Sequence, residues 1–249
     1  MLDACTEGQT SPANIALKYK NPKAMRAQFT GKRSIFIDLS HPVEHGLVTY
    51  KGLPPPAITA YMTREESRQH YAHGTEFHIG KIEMVGNTGT YIDSPFHRYA
   101  DGKDLSELPL ESIADLPGIR ITGSSDLPND VGLFEGKDLA SKAVLIHTGW
   151  SRHWRTEKYF DNPPFLTRKS AEFLAKSKVA LVGIDSMNID DIHDKSRPVH
   201  SVLLEANIPI VEHLANLEDL PAQGFQFFAV PVKVKSFGTF PIRAFAITR

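Results

Sequence analysis

Between residues 143 and 212 short apolar runs alternate with segments of helical spacing, and this alternation limits the possible folds more than any other feature. Ala-Val-Leu-Ile-His at 143–147 has the length and composition of a strand, 167–177 reads as a helix, and 179–185 as a strand. A second helix follows around 199–206, then a strand at 208–212. Thr167 stands where an N-cap is expected. Strands separated by helical crossovers pair in parallel, so this half of the chain predicts a βαβαβ unit.

The flanking segments complete the domain. Residues 34–39 predict an opening strand that His41-Pro42 ends, and Gly52-Leu53-Pro54-Pro55-Pro56 makes a stiff connection. Residues 77–85 alternate as a strand, 100–117 read as a polar, turn-rich surface excursion, and 225–234 and 240–248 close the chain as antiparallel strands. The expectation is one α/β domain over 34–249, with a mixed β-sheet and flanking helices. Residues 1–33 differ in composition, with six Lys/Arg against two Asp/Glu and little apolar periodicity. They are expected to form an N-terminal arm, packed on the domain or on a neighbouring subunit, or partly disordered.

Charge and cysteine content remove several classes of function. A net charge of −1 without a block of like charges leaves no footprint for nucleic acid or an anionic membrane. Cys5 is the only cysteine, so neither an internal disulfide nor a thiolate zinc cage can form. No apolar run approaches the length of a membrane span, and residues 1–33 lack the apolar core of a secretory signal. A cytoplasmic protein acting on a small molecule is expected.

The densest chemistry lies at 87–97, Asn-Thr-Gly-Thr-Tyr-Ile-Asp-Ser-Pro-Phe-His. Gly89 and Pro95 oppose a helix here, and the alternation of Thr90, Ile92 and Ser94 predicts a strand running into a loop. With a side-chain period of two, Asn87, Tyr91 and Asp93 share a face, and His97 returns to it after Pro95. An amide, a phenol, a carboxylate and an imidazole would then converge. That convergence fits a functional site, but from the residues alone a satisfied buried polar cluster is the commoner outcome.

The segment resembles the pattern His-x-Gly-Thr-His-x-Asp-x-Pro-x-His of the cyclase family of metal-dependent hydrolases, to which bacterial kynurenine formamidases and isatin hydrolases belong. Gly89, Thr90, Asp93, Pro95 and His97 stand in register, whereas Asn87 and Tyr91 replace two histidines. Asp38-Leu39-Ser40-His41-Pro42 is similar to the family's opening strand. Tyr50-Lys51-Gly52 resembles its aromatic-Pro-Gly turn, with Lys51 in place of proline. His147-Thr148-Gly149-Trp150, Val182-Gly183-Ile184-Asp185-Ser186, and His200 followed by Glu212 extend the likeness from about Ile35 to the C-terminus.

The resemblance implies a cyclase-family, swivelling β/β/α-like fold and a hydrolase of a small amide, cyclic imide or lactone. It implies Asp93, His200 and Glu212 as ligands of one divalent metal, zinc or manganese, and His97 as proton carrier. The other metal position of the two-metal members loses both its histidines at Asn87 and Tyr91. Tyr91 is then expected as an acid or oxyanion donor, and Tyr50, Asn87 and Trp150 as substrate contacts. Two other readings remain: a metal-free enzyme using His97 and Tyr91, and a small-molecule-binding relative without catalysis. The family likeness also implies a homodimer or higher homo-oligomer. His41, His45, His70, His73 and His78 read as hydrogen-bonded or surface groups, and 189–194 as a polar loop near the mouth of the site.

Overall fold

A computed structural model describes residues 34–126 and 128–248. The arm expected over residues 1–33, with Cys5, lies outside the described residues. In chain order the strands are β1 (Ile35–Asp38), β2 (Ala57–Met62), β3 (Ile79–Glu83), β4 (Tyr91–Asp93), β5 (Leu116–Thr122) and β6 (Ala143–His147). They continue with β7 (Leu181–Ile184), β8 (Ile210–Glu212), β9 (Gln223–Phe228), β10 (Thr239–Pro241) and β11 (Phe245–Thr248). The helices are α1 (Arg64–Ser67), α2 (Arg168–Lys176) and α3 (Pro198–Glu205).

Nine strands form one mixed sheet in the order β1-β11-β9-β5-β6-β7-β8-β4-β10, and β2 and β3 make a separate antiparallel ribbon. The parallel centre, β5 to β8, is the predicted alternating unit, now joined by β5. Every other pairing in the sheet is antiparallel. No helix among the described residues is long and apolar enough to cross a membrane.

The unbroken apolar run of β6 follows from burial on both faces. Val144 and Ile146 pack with Ala171 and Leu174 of α2 and with Val199 and Leu203 of α3. Leu145 faces the opposite core, with Leu181, Val211, Ile92, Phe225 and Phe227. Gly183 lets those layers close, because a Cβ there would lie 2.7 Å from Leu214 and 2.9 Å from Leu145. Thr167 caps α2 by accepting from the Ser170 N–H at 3.2 Å, as its position in the sequence predicts.

Several elements differ from the sequence expectation: β2 is not expected from it, β3 pairs with β2 outside the main sheet, and the strand expected over 225–234 is β9, which ends at Phe228. β5 begins at Leu116-Pro117-Gly118, inside the stretch read as a surface excursion. Proline is tolerated there because pairing with β6 starts only at Gly118. Gly118 in turn admits the Phe225 ring, which a Cβ would approach to 1.9 Å. The strand expected through 87–93 is confined to Tyr91–Asp93, because Gly89 adopts a left-handed φ of 65° and turns the chain before it. Residues 240–248 divide into β10 and β11, which pair with β4 and β9 respectively.

Candidate active site

The site grows from two cross-strand pairs at one end of the sheet. Tyr91 of β4 lies opposite Glu212 of β8, and Asp93 lies opposite Thr239 of β10. Side chains directly across an antiparallel ladder are close enough to bond, and both pairs do. The Tyr91 hydroxyl donates to Glu212 Oε2 at 2.5 Å, and the Thr239 hydroxyl donates to Asp93 Oδ1 at 2.5 Å. The other Glu212 oxygen accepts the Ile189 N–H at 2.6 Å. All four side chains are buried.

His200 enters from the first turn of α3. Asp190 accepts the N–H groups of Val199 at 2.6 Å and His200 at 3.0 Å, which satisfies the start of the helix. It also takes the imidazole Nδ1–H at 2.6 Å, and this fixes the ring with Nε2 facing the pair Asp93 and Glu212. Nε2 stands 3.6 Å from Asp93 Oδ2 and 3.7 Å from Glu212 Oε1. Those separations are too long for hydrogen bonds, and Asp93 Oδ2 is buried without a partner.

His97 follows Pro95 in a single 3₁₀ turn, Pro95–His97. Its Nδ1 lies 2.7 Å from Thr239 Oγ1. Thr239 has one hydroxyl proton, already committed to Asp93, so it must accept from His97 Nδ1–H. The tautomer that satisfies all three groups carries its free lone pair on Nε2. Gly238 makes this approach possible: a Cβ there would sit 2.6 Å from the His97 Cα and N.

Electrostatics sort these groups by charge. Burial opposes a charge on His200, but Asp190, Asp93 and Glu212 outweigh it and raise the imidazole to about 10. Burial likewise opposes ionisation of Asp93, yet His97 and His200 hold its carboxyl below the ordinary range. Burial lifts Glu212 to about 7, with Asp93 adding to the rise and His200 and Tyr91 acting against it. Burial, reinforced by the Glu212 charge, keeps the Tyr91 phenol protonated.

Above this cluster opens a pocket of about 280 Å³, lined by Tyr50, Leu53, Asn87, Asn188, Arg98 and Arg197, with buried Tyr91, His200 and Glu212 at its inner wall and the more exposed His97 beside them. Tyr50 is held by donating to the Met187 carbonyl at 2.9 Å and by accepting from Asn188 Nδ2. The Asn87 amide has no partner among the described residues. Of the residues expected from sequence, Tyr50, Asn87, Tyr91, His97, His200 and Glu212 reach the pocket, and Asp93 lies beside it, fully buried. Trp150, expected as a substrate contact, does not line the pocket. Its indole N–H donates to the Tyr159 carbonyl at 3.1 Å, and its ring packs in a cluster with Tyr159 and Met187.

Thr239, Asn188, Arg98 and Arg197 carry no mark in the sequence, and Asp190 stands out only as one member of the loop 189–194. Thr239 belongs to a separate strand whose pairing is invisible in one dimension. Asp190 sits in the acidic loop 189–194, where spacing alone does not distinguish the one carboxylate that caps α3. Behind the site, His213 is buried with Nδ1 2.9 Å from the Tyr159 hydroxyl, and His41 stacks on Trp154 with centroids 4.1 Å apart.

The described residues whose metal-ligating atoms lie within 4.8 Å of one another are Asp93, His97 and His200. Glu212 joins them through the same His200 nitrogen. The profile of the family described as Putative cyclase matches residues 37–191. A kynurenine formamidase of Bacillus cytotoxicus is 30% identical over 216 residues, covering 86% of this chain and 97% of that protein. The chain belongs to this family. A kynurenine formamidase of Bacillus anthracis is 27% identical over 219 residues, again covering 86% and 97%. Among solved structures, isatin hydrolase A of Ralstonia solanacearum superposes with a TM-score of 0.73 at 20% identity, covering 87% of this chain and 92% of its own. A potential metal-dependent hydrolase with cyclase activity gives 0.70 at 24% identity, covering 87% and 99%. At these identities the structural likeness establishes the fold.

Proposed function

We propose that the protein is a hydrolase that cleaves a C–N bond in a small amide or cyclic imide, using one divalent cation held by Asp93, His200 and Glu212. The carrying observation is the position of His200 Nε2, 3.6 Å from Asp93 Oδ2 and 3.7 Å from Glu212 Oε1. Ligand atoms about 2.1 Å from a tetrahedral ion are themselves roughly 3.4 Å apart, so the spacing suits a cation better than direct hydrogen bonding. The unpartnered Asp93 oxygen and the Asp190-oriented imidazole support the same assignment. A nitrogen and carboxylate oxygens are donors that zinc and manganese both accept.

When bound, the ion polarises the scissile carbonyl and favours the nucleophilic form of water near neutral pH. His97 Nε2 receives the proton from that water as its oxygen bonds to the carbonyl carbon. The C–N bond then breaks, and the imidazole returns the proton to the leaving nitrogen. Thr239 and Asp93 hold the ring in the tautomer this requires. Tyr91 serves as a holder of Glu212: its proton is engaged by that carboxylate at 2.5 Å and does not point at a substrate. This geometry weakens the metal-free alternative, which needs Tyr91 as acid or oxyanion donor. The formamidase relatives support an amide as substrate. We also propose that the chain works as a symmetric homo-oligomer.

The test is metal content and metal-dependent turnover. Protein purified without chelator should carry zinc or manganese near one equivalent, and His200→Ala should lower that content sharply. His97→Ala should retain metal and lose about 10²-fold or more in kcat. Less than about a tenth of an equivalent, with no turnover of aryl formamides after metal addition, sinks the proposal.

A further inference from the structure

Two arginines stand at the mouth of the pocket, one from each side of the chain that builds it. Arg98 immediately follows His97, and Arg197 immediately precedes α3, which carries His200. Arg98 Nε donates to Ser201 Oγ at 3.2 Å, and its guanidinium lies 5.1 Å from the Tyr99 ring. Arg197 Nη1 donates to the Asp191 carbonyl at 3.0 Å and reaches Asn188 Oδ1 at 3.5 Å. All these partners are neutral. Neither guanidinium has a carboxylate within 4.0 Å among the described residues, and each keeps several N–H donors free.

The backbone of Arg197 sets the direction in which its side chain leaves the loop. It adopts the left-handed conformation, φ 48° and ψ 59°, directly before Pro198. A residue other than glycine, asparagine or aspartate is uncommon there, and the residue before proline ordinarily prefers extended backbone. The loop thus bears a conformational cost at the position whose side chain faces the pocket. Nine other non-glycine residues among those described also have positive φ, so this conformation fixes where the Arg197 side chain starts and does not by itself mark a ligand site.

We propose that Arg98 and Arg197 form a clamp for a carboxylate, so that the substrate is an amide bearing a free carboxylate as well as the scissile C–N bond. This rests on the hydrolase reading for which bond is cut, but the clamp itself stands on the pocket. Arg98 and Arg197 stand toward the rim, while His200 and Glu212, with Asp93 buried beside them, stand at the inner wall. A bifunctional substrate is thereby oriented, its anionic end outward and its carbonyl inward. Planar guanidinium groups recognise a carboxylate through paired N–H donors. The walls contributed by Tyr50, Leu53 and Tyr91, around about 280 Å³, suit a small molecule with one ring.

Binding and turnover separate the two proposals. In calorimetric titrations of the metal-loaded protein, anthranilate should bind at least about tenfold more tightly than neutral anthranilamide. Arg98→Gln and Arg197→Asn should each weaken anthranilate by about tenfold to a hundredfold, and added salt should weaken it further. Asparagine suits the left-handed backbone at 197, and thermal melts establish that each variant is folded. Equal affinity for acid and amide, no binding of either, or unchanged anthranilate affinity in both folded variants overturns the clamp. In parallel, kcat/KM is compared for N-formylanthranilate and formanilide. A strong preference for the acid supports the clamp. Equal turnover of both overturns it while leaving the hydrolase intact. Tight, arginine-dependent anthranilate binding without turnover of either compound supports the clamp and counts against the hydrolase.

Discussion

Tyr91 shows how one substitution can change the work of a position without emptying it. At a place where the family pattern has histidine, the phenol is 1% exposed and spends its only proton on Glu212 Oε2. Tyr91→Phe leaves that oxygen unsatisfied in a buried setting, and the carboxylate becomes harder to ionise. We expect metal affinity to fall about 10- to 100-fold, the range for losing a group that orients a ligand, with the larger share of lost activity recovered at saturating metal. Competition with a chromophoric chelator measures the affinity. Undiminished affinity with a proportionate fall in kcat would instead make Tyr91 a direct participant in the reaction. The same residue marks a limit of sequence reading. Asp93, His97, His200 and Glu212 are legible because their types and order match a pattern. The role of Tyr91 depends on which residue lies across the ladder, and register is not written in a local motif.

At the scale of elements, legibility followed burial. β6 and β7 lie between two packed layers, so their apolar runs are continuous, whereas α2 buries one face against one of those layers and its pattern is periodic. β5 begins with Pro117 and Gly118, whose usual meaning is a turn, and only its neighbours make it a strand. The β2–β3 ribbon has no core face in the described chain; the alternation at 77–85 announces β3 all the same, but nothing comparable announces β2. Behind the site, the turn after β8 meets the loops carrying His41 and Trp154, and their packing has a pH consequence. Burial lowers His41 to about 4, and burial together with His41 lowers His213 to about 3. The unfolded chain binds a proton at each site below about 6.5, whereas the folded chain does not until the lower values. Stability from these neutral imidazoles is therefore complete above pH 6.5 and declines as pH falls toward 4. Glu212 acts in the opposite direction, because its raised value makes the folded state bind a proton first. His41→Phe keeps a ring against Trp154 and removes one titrating site. Urea unfolding of the metal-free protein between pH 6.5 and 5 should then show an acid-dependent loss smaller by up to about 1.4 kcal/mol per pH unit. Parallel pH profiles for the two proteins would count against a neutral His41.

Across the whole molecule, apolar side chains exposed along particular elements point to assembly. On β1, an edge of the sheet, Ile35 and Phe36 are 61% and 67% exposed. The β2–β3 ribbon exposes Ile58, Tyr61, Ile79 and Ile82, with Tyr61 at 75%. Scattered apolar residues are ordinary on a surface, but a two-stranded ribbon without a covered face is marginal by itself. Contact with a second copy would bury those side chains and stabilise the ribbon, and closed two-fold symmetry is the commonest way to do so. Light scattering at micromolar concentration should give at least twice the mass of 27.7 kDa calculated for one chain. Replacing Tyr61 and Ile82 together by aspartate places charge on the ribbon while leaving the main sheet and pocket untouched. That variant should shift toward the single-chain mass as it is diluted, with its melting temperature becoming concentration-dependent. A single-chain mass for the unaltered protein would end the proposal. An unchanged assembly in the folded double variant would move the interface away from the ribbon, leaving β1 as the surface to test next by the same substitution at Phe36.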